Sequence, residues 1–250
     1  MRLPGQRLPR PSMLPIGDQG QGADDQRHGV AIATLTFFCL LLLVFAVQQF
    51  LVPGVFFIPP GLAFIPGALF GGAEVPAGVF ALPPPATLVS YQLLHAGWLH
   101  LLGNLLFLWV FGPRVEGTLG PARLTVLLIV CGIAAALVQA WADSSSAVAM
   151  LGASGGISGV LGAYLYLHPH ARIRVLVLQL PAYLVLVVWF AIQFFYANWT
   201  DVAGGGIEFR AHVGGFLAGV LLAPVLSYSM LLSAEARTVA RTLRSRDSRC

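Results

Sequence analysis

GASGGISG, Gly152 to Gly159, stands inside an apolar run between Ala149-Met150-Leu151 and Val160-Leu161. Its glycines continue at Gly162, so Gly155, Gly159 and Gly162 recur at i, i+4 and i+7. On a helix that spacing makes one smooth face against which a second backbone can close. Packing explains the glycines but does not require Ser154, and Gly152 before it permits a tight turn into the helix. Ser158, one turn further on, is a rival hydroxyl. The ordinary occupation of such a serine in a membrane helix is a back-bond to a carbonyl. What Ser154 is for depends on the rest of the chain.

The surrounding composition is that of a membrane protein. Of 250 residues, 57% are hydrophobic and only 10% charged, against about a quarter charged in an ordinary soluble domain. A spanning helix needs about 20 mostly apolar residues, and six stretches meet that need: 30–52, 96–112, 123–142, 147–167, 175–197 and 210–233. They predict an all-α, polytopic membrane domain over 30–233. A polar tail at 1–29, expected to be disordered and cytoplasmic, precedes it, and an Arg-rich cytoplasmic tail at 234–250 follows. The first 28 residues hold no apolar core of the signal-peptide kind. Cys39 and Cys131 fall inside predicted spans and Cys250 is the last residue, so no disulfide framework or metal-ligand spacing is predicted.

All 14 basic side chains are arginines. Arg2, Arg7, Arg10 and Arg27 lie in the first tail, Arg114 and Arg123 flank the second connection, and Arg172 and Arg174 flank the fourth. Arg237, Arg241, Arg244, Arg246 and Arg249 close the chain, and only Arg210 falls on the other side. Basic residues stay on the cytoplasmic side, so both termini are expected there and every even-numbered span starts at the outer surface. These arginines read as anchors near anionic headgroups of the lipid bilayer, without the compact basic face of a nucleic-acid binder.

Ionisable residues inside spans are costly and mark functional candidates. Three polar clusters stand out, each at the start of an even-numbered span. In HAGWLHLLGN, His95 to Asn104, the side chains of His100 and Asn104 share a helix face at i, i+4 and both can donate hydrogen bonds. His95, at the mouth of that span, fits either a cap or a functional role. The second cluster holds Ser154. In RAHVGGFLAGV, Arg210 to Val220, His212 shares a face with Gly215 and Gly219, notches that let another backbone, and a serine on it, come close. The common orientation of the three spans puts a hydroxyl, an imidazole and a donor pair at similar depth. Those are the parts of an acyl-transfer site. His212 is the histidine at the right depth to serve Ser154, and no buried acid completes a triad. Glu208, one turn before His212, could orient it but reads better as an interfacial carboxylate, so a Ser-His dyad is predicted.

At these residues the chain closely resembles the rhomboid family of intramembrane serine proteases. The resemblance is carried by GxSG as Gly152-Ala153-Ser154-Gly155, by AHxxGxxxG as Ala211 to Gly219, by the pattern of His95, His100 and Asn104, and by GPRVEGTLG, Gly112 to Gly120. It implies a six-transmembrane-helix rhomboid-like bundle with Ser154 as nucleophile and His212 as general base. It implies an oxyanion hole of His100, Asn104 and the Ser154 backbone N–H, with His95, Gly152, Gly155, Gly215 and Gly219 in support. It also implies no metal and no cofactor, transmembrane protein substrates, and a multi-pass cell-membrane location such as a bacterial inner membrane. Two departures concern substrate gating. The aromatic residue that some members carry one turn after the nucleophile is Ser158 here. The loop at 53–94 lacks the Trp-Arg pair of some members and has eight prolines and the single charge of Glu74. A catalytically silent rhomboid-like protein that binds membrane clients is the alternative. A transporter is disfavoured by the lack of paired broken helices in matching halves.

Overall fold

The computed structural model describes residues 16–19, 30–51, 61–71, 81–175, 178–199 and 209–247. Six helices carry the fold: α1 (Ile32–Leu51), α4 (Trp98–Leu119), α5 (Pro121–Ala142), α6 (Ser154–Leu167), α7 (Ala182–Trp199) and α8 (Phe209–Asp247). Two short helices, α2 (Pro66–Phe70) and α3 (Pro84–Ser90), and a 3-10 turn at Tyr91–Leu93 lie between α1 and α4. By length and apolarity, Ile32–Phe50, Pro121–Ala142 and Phe209–Tyr228 can each cross a membrane. Pro84–Leu93 with Trp98–Leu119, bent by 83°, makes a fourth candidate as a broken span. The protein is thus a mostly helical, multi-pass membrane protein, and the six expected stretches agree with this bundle without being counted by it.

Several boundaries depart from the expected ones, each for a local reason. α4 runs on to Leu119, beyond the expected end at 112, through Gly112 and Pro113. The extension is held by Glu116, which is buried. Its carboxylate accepts from the backbone N–H groups of Ala33 and Thr34 at 2.8 Å each and from Thr34 Oγ1 at 2.7 Å. Those amides belong to the first turn of α1, where no intrahelical acceptor exists and the helix dipole favours a negative charge. Gly112 completes the contact, because a Cβ there would lie 2.9 Å from Thr34 Oγ1. The second connection then shrinks to Gly120, at φ 83°, followed by Pro121 in the first turn of α5, the residue best suited to open a helix.

The fourth expected span starts at 147, but α6 starts at Ser154. The residues before it are tied to the first loop instead. Phe64 and Met150 exchange backbone hydrogen bonds at 3.1 and 2.7 Å, Gly67 N–H donates to the Ser146 carbonyl, and Gly152 N–H donates to the Tyr91 carbonyl. What remains is a 14-residue helix, about 21 Å long at the usual rise and shorter than a hydrocarbon core of about 30 Å. Ten of its residues, Gly155 to Tyr164, are buried, so α6 is the hub on which α4, α5 and α8 pack.

The fifth stretch, expected at 175–197, begins as an antiparallel hairpin of β2 (Arg172–Val175) and β3 (Leu178–Pro181). α7 follows, its first N–H groups satisfied by the Ala171 carbonyl (2.7 Å, from Ala182) and the Pro169 carbonyl (2.9 Å, from Tyr183). The hairpin pairs with a strand, β1 (Ile16–Gln19), inside the tail expected to be disordered. The rest of that tail lies outside the described residues. At the other end, helix α8 continues to Asp247 through most of the segment expected as a separate tail.

Candidate active site

Ser154 opens α6 rather than lying one or two turns within it. The N–H groups of the first helical turn have no intrahelical acceptor and carry the positive end of the helix dipole. The hydroxyl therefore sits beside free backbone donors. The turn that delivers it is made by Gly152, whose φ of 119° is the left-handed region that favours glycine. A side chain is excluded there twice over. A Cβ at Gly152 would lie 2.7 Å from His100 Nε2 and 3.7 Å from Ser154 Oγ. The imidazole tip and the serine hydroxyl thus border the small space that the missing side chain leaves.

The α6–α8 seam brings His212 to the same place. A Cβ at Gly215 would fall on the Gly155 carbonyl, one at Gly219 on the Gly159 carbonyl, and one at Gly162 on the Phe216 carbonyl. The two helices are in backbone contact through Gly215 and Gly219 of α8 and Gly162 of α6, while a Cβ at Gly155 or Gly159 would first meet Ala135 or Cys131 of α5.

Ser154, His212, His100 and Asn104 line one cavity of about 610 Å³, together with Ser158, Trp189 and Gln193. None of its lining residues carries a formal charge, and in so apolar a space fixed dipoles act with little screening. Asn104 is 6% exposed, and its Nδ2 is buried without a hydrogen-bond partner among the described residues. A buried donor is normally satisfied, so this one is available to something that enters the cavity. His100 Nδ1 accepts a long hydrogen bond, 3.5 Å, from the Ala96 N–H. In the neutral ring that leaves the hydrogen on Nε2, the nitrogen beside Gly152. His95 does not line the cavity. It is buried behind His100, rings edge to face at 5.2 Å. Gln48 fixes its backbone, accepting from the His95 N–H at 3.1 Å and donating to its carbonyl at 3.3 Å.

The rival serine is engaged elsewhere. Ser158 Oγ donates to the Ser154 carbonyl at 2.7 Å. His212 is held from α7: its Nδ1 is hydrogen-bonded with Gln193 Oε1 at 2.8 Å, and its ring lies 6.3 Å from that of Trp189 at a 35° tilt. Phe209 meets the same ring edge-on at 6.4 Å. Glu208 lies outside the described residues. The sequence reading missed Gln193, although an amide in the apolar run LVLVVWFAIQFF was a visible signal. It also missed Tyr91, whose carbonyl fixes Gly152 and whose hydroxyl donates to the Gly132 carbonyl at 2.7 Å. Among the described residues no group of three or more His, Cys, Asp or Glu could hold a metal ion.

Comparison with known proteins agrees with this architecture. Residues 85–229, more than half of the chain, match the Rhomboid domain family model. The chain is 33% identical over 144 residues to Rhomboid protein 1, mitochondrial, of Saccharomyces cerevisiae, covering 54% of this chain and 40% of that protein. It is 34% identical over 134 residues to Rhomboid protease GlpG of Pectobacterium atrosepticum, covering 54% of this chain and 46% of the relative. With RHOMBOID-like protein 5 of Arabidopsis thaliana it shares 32% identity over 146 residues, covering 56% of this chain and 43% of that one. The chain thus spans less than half the length of each of these relatives. The matched segment runs from α3 into α8 and contains every residue placed around the cavity, and on that match the chain belongs to the rhomboid family.

Proposed function

We propose that the chain is an intramembrane serine endopeptidase that hydrolyses peptide bonds in or near transmembrane segments of other membrane proteins. The observation that carries this reading is the single uncharged cavity shared by Ser154, His212, His100 and Asn104. Ser154 Oγ attacks the carbonyl carbon of the scissile peptide while its proton passes to His212 Nε2. The carbonyl oxygen becomes an oxyanion, received by Asn104 Nδ2, His100 Nε2–H and the Ser154 backbone N–H. His212 then gives the proton to the leaving amine, and the C–N bond breaks. A water molecule, deprotonated by the same imidazole, hydrolyses the acyl-enzyme and restores Ser154. A serine hydroxyl is a weak nucleophile without such a base. Donors preorganised where charge develops supply a large share of the acceleration.

An apolar substrate suits the apolar cavity walls, and the arginine distribution supports both termini on the cytoplasmic face of the membrane with the cavity toward the outer side. The test is reconstitution in liposomes with a fluorescent transmembrane substrate. Ser154→Ala and His212→Ala each lower cleavage by about 10⁴-fold or more, and Ser158→Ala keeps activity. A fluorophosphonate probe labels wild type and not Ser154→Ala. Wild-type rates in Ser154→Ala overturn the reading. Binding of a broad substrate panel without cleavage or labelling favours the client-binding alternative.

A further inference from the structure

The protease reading leaves open what holds the general base, and the structure supplies an answer on α7. A dyad base must keep Nε2 free of hydrogen in the resting state, because that nitrogen receives the serine proton. In a neutral imidazole the tautomer is set by the partner of the other nitrogen. Here that partner is Gln193 Oε1, 2.8 Å from His212 Nδ1. An amide oxygen only accepts, so Nδ1 carries the hydrogen and Nε2 is bare. The opposite amide orientation would present an N–H to Nδ1 and force the hydrogen onto Nε2, a ring that cannot take a proton from Ser154.

α6 gives this ring no comparable support, since Ser158 is bonded back to the Ser154 carbonyl. The side chains seated on the imidazole from another helix are Gln193 and Trp189, both on α7. Resting on the protease reading, we propose that Gln193 is a positioning residue: it selects the Nδ1–H tautomer of His212 and makes the geometry of the base depend on the seating of α7. When His212 becomes imidazolium, the same bond to Oε1 becomes charge-assisted and stronger. The amide takes no proton, so the proton taken from Ser154 stays on His212 until it passes to the leaving amine.

The experiment has two arms on the full chain. In the first, 15N-histidine-labelled protein in nanodiscs reports which imidazole nitrogen is protonated, with His212 assigned by the signals lost in His212→Ala. Wild type shows hydrogen on Nδ1 and a bare Nε2, Gln193→Leu shows a mixture of tautomers, and Gln193→Glu restores the wild-type pattern. In the second, cleavage of the reconstituted substrate falls about 10-fold in kcat in Gln193→Leu, the loss expected for one such hydrogen bond. KM stays within about twofold, and Gln193→Glu recovers most of the rate. A wild-type His212 protonated on Nε2 overturns the proposal, as does a Gln193→Leu protein with unchanged tautomer and kcat. If Gln193→Leu does not fold, the wild-type spectrum and Gln193→Glu decide. The failures are separable. Loss of the protease reading shows as no Ser154-dependent cleavage or labelling, whereas Ser154-dependent cleavage that ignores Gln193 sinks this proposal alone.

Discussion

Helices α6 and α7 are both short and apolar and both border the cavity, yet they are held in opposite ways. Ten consecutive residues of α6 are buried, and its seam with α8 is backbone against backbone at Gly155, Gly159 and Gly162. Among the α7 side chains described, 182–196, only Ala182 and Leu186 are buried, while Val187, Val188, Phe194 and Phe195 are about half exposed. Beyond the anchored first turns of α7, its hold on the bundle includes rings, with Phe190 4.8 Å and Trp189 5.9 Å from Phe216, and the bond between Gln193 and His212. A glycine seam of this kind tolerates almost no displacement, because an atom added at Gly162, Gly215 or Gly219 meets a carbonyl of the facing helix. Tilted rings can slide and keep contact. Ser154 is therefore on the rigid element, and Gln193, the proposed positioning residue, is on the compliant one.

The sharpest way to break this comparison is at the seam. In Gly219→Leu the new Cβ meets the carbonyl, carbonyl carbon and Cα of Gly159. No flexible side chain is there to yield. Overpacking a core costs about 1–3 kcal/mol, occasionally more, and a backbone collision belongs at the top of that range. The expected result is a protein that unfolds at much lower detergent denaturant and gives no Ser154 labelling. Gly219→Ala shows a large part of the same loss, because the Cβ alone collides. An unchanged unfolding midpoint in Gly219→Leu would contradict backbone contact along the seam.

A smaller effect, and a catalytic one, is expected where the seam feeds the site. Gly152→Ala puts a Cβ against the His100 ring and forces alanine to φ 119°. Holding a residue in such a conformation costs on the order of 1–3 kcal/mol. Displacing His100 removes a donor of the kind worth about 10²–10³ in rate. kcat should fall by about 10²-fold with the fold intact, read as cleavage rate beside the unfolding midpoint. Equal rates in the two proteins would mean that His100 does not serve the Ser154 site.

These differences also explain what could be read from the chain. The glycine faces of α6 and α8, and the polar residues Ser154, His212, His100 and Asn104, were legible because each is an exception in an apolar run and each spacing is local. The start of α6 was not. Ala147 to Ala153 is as apolar as the helix that follows, and what keeps it extended is the pairing of Met150 with Phe64 and of Gly152 with Tyr91. Glu116 read as part of a connection because its partners, Ala33 and Thr34, lie more than 80 residues away. Gln193 was passed over for a related reason. It sits on an odd-numbered span, and only the packing of α7 on α8 gives it a partner.

The smallest expected effect lies on the outward face of α7. Val187 is 51% exposed and is no part of the Gln193–His212 hydrogen bond or of the ring contacts of Trp189 and Phe190 with Phe216. Val187→Ala removes two methyl groups from a surface that faces lipid in a multi-pass protein. A substitution away from any cap, cavity or buried polar group is usually worth within about 0.5 kcal/mol. Cleavage should stay within about twofold of wild type and the unfolding midpoint should not move. This near-silence is informative only beside Gln193→Leu, two turns or less along the same helix. If both are silent, α7 does not orient the base. If both are damaging, α7 is seated as tightly as α6, and its exposed face is covered by something more specific than lipid.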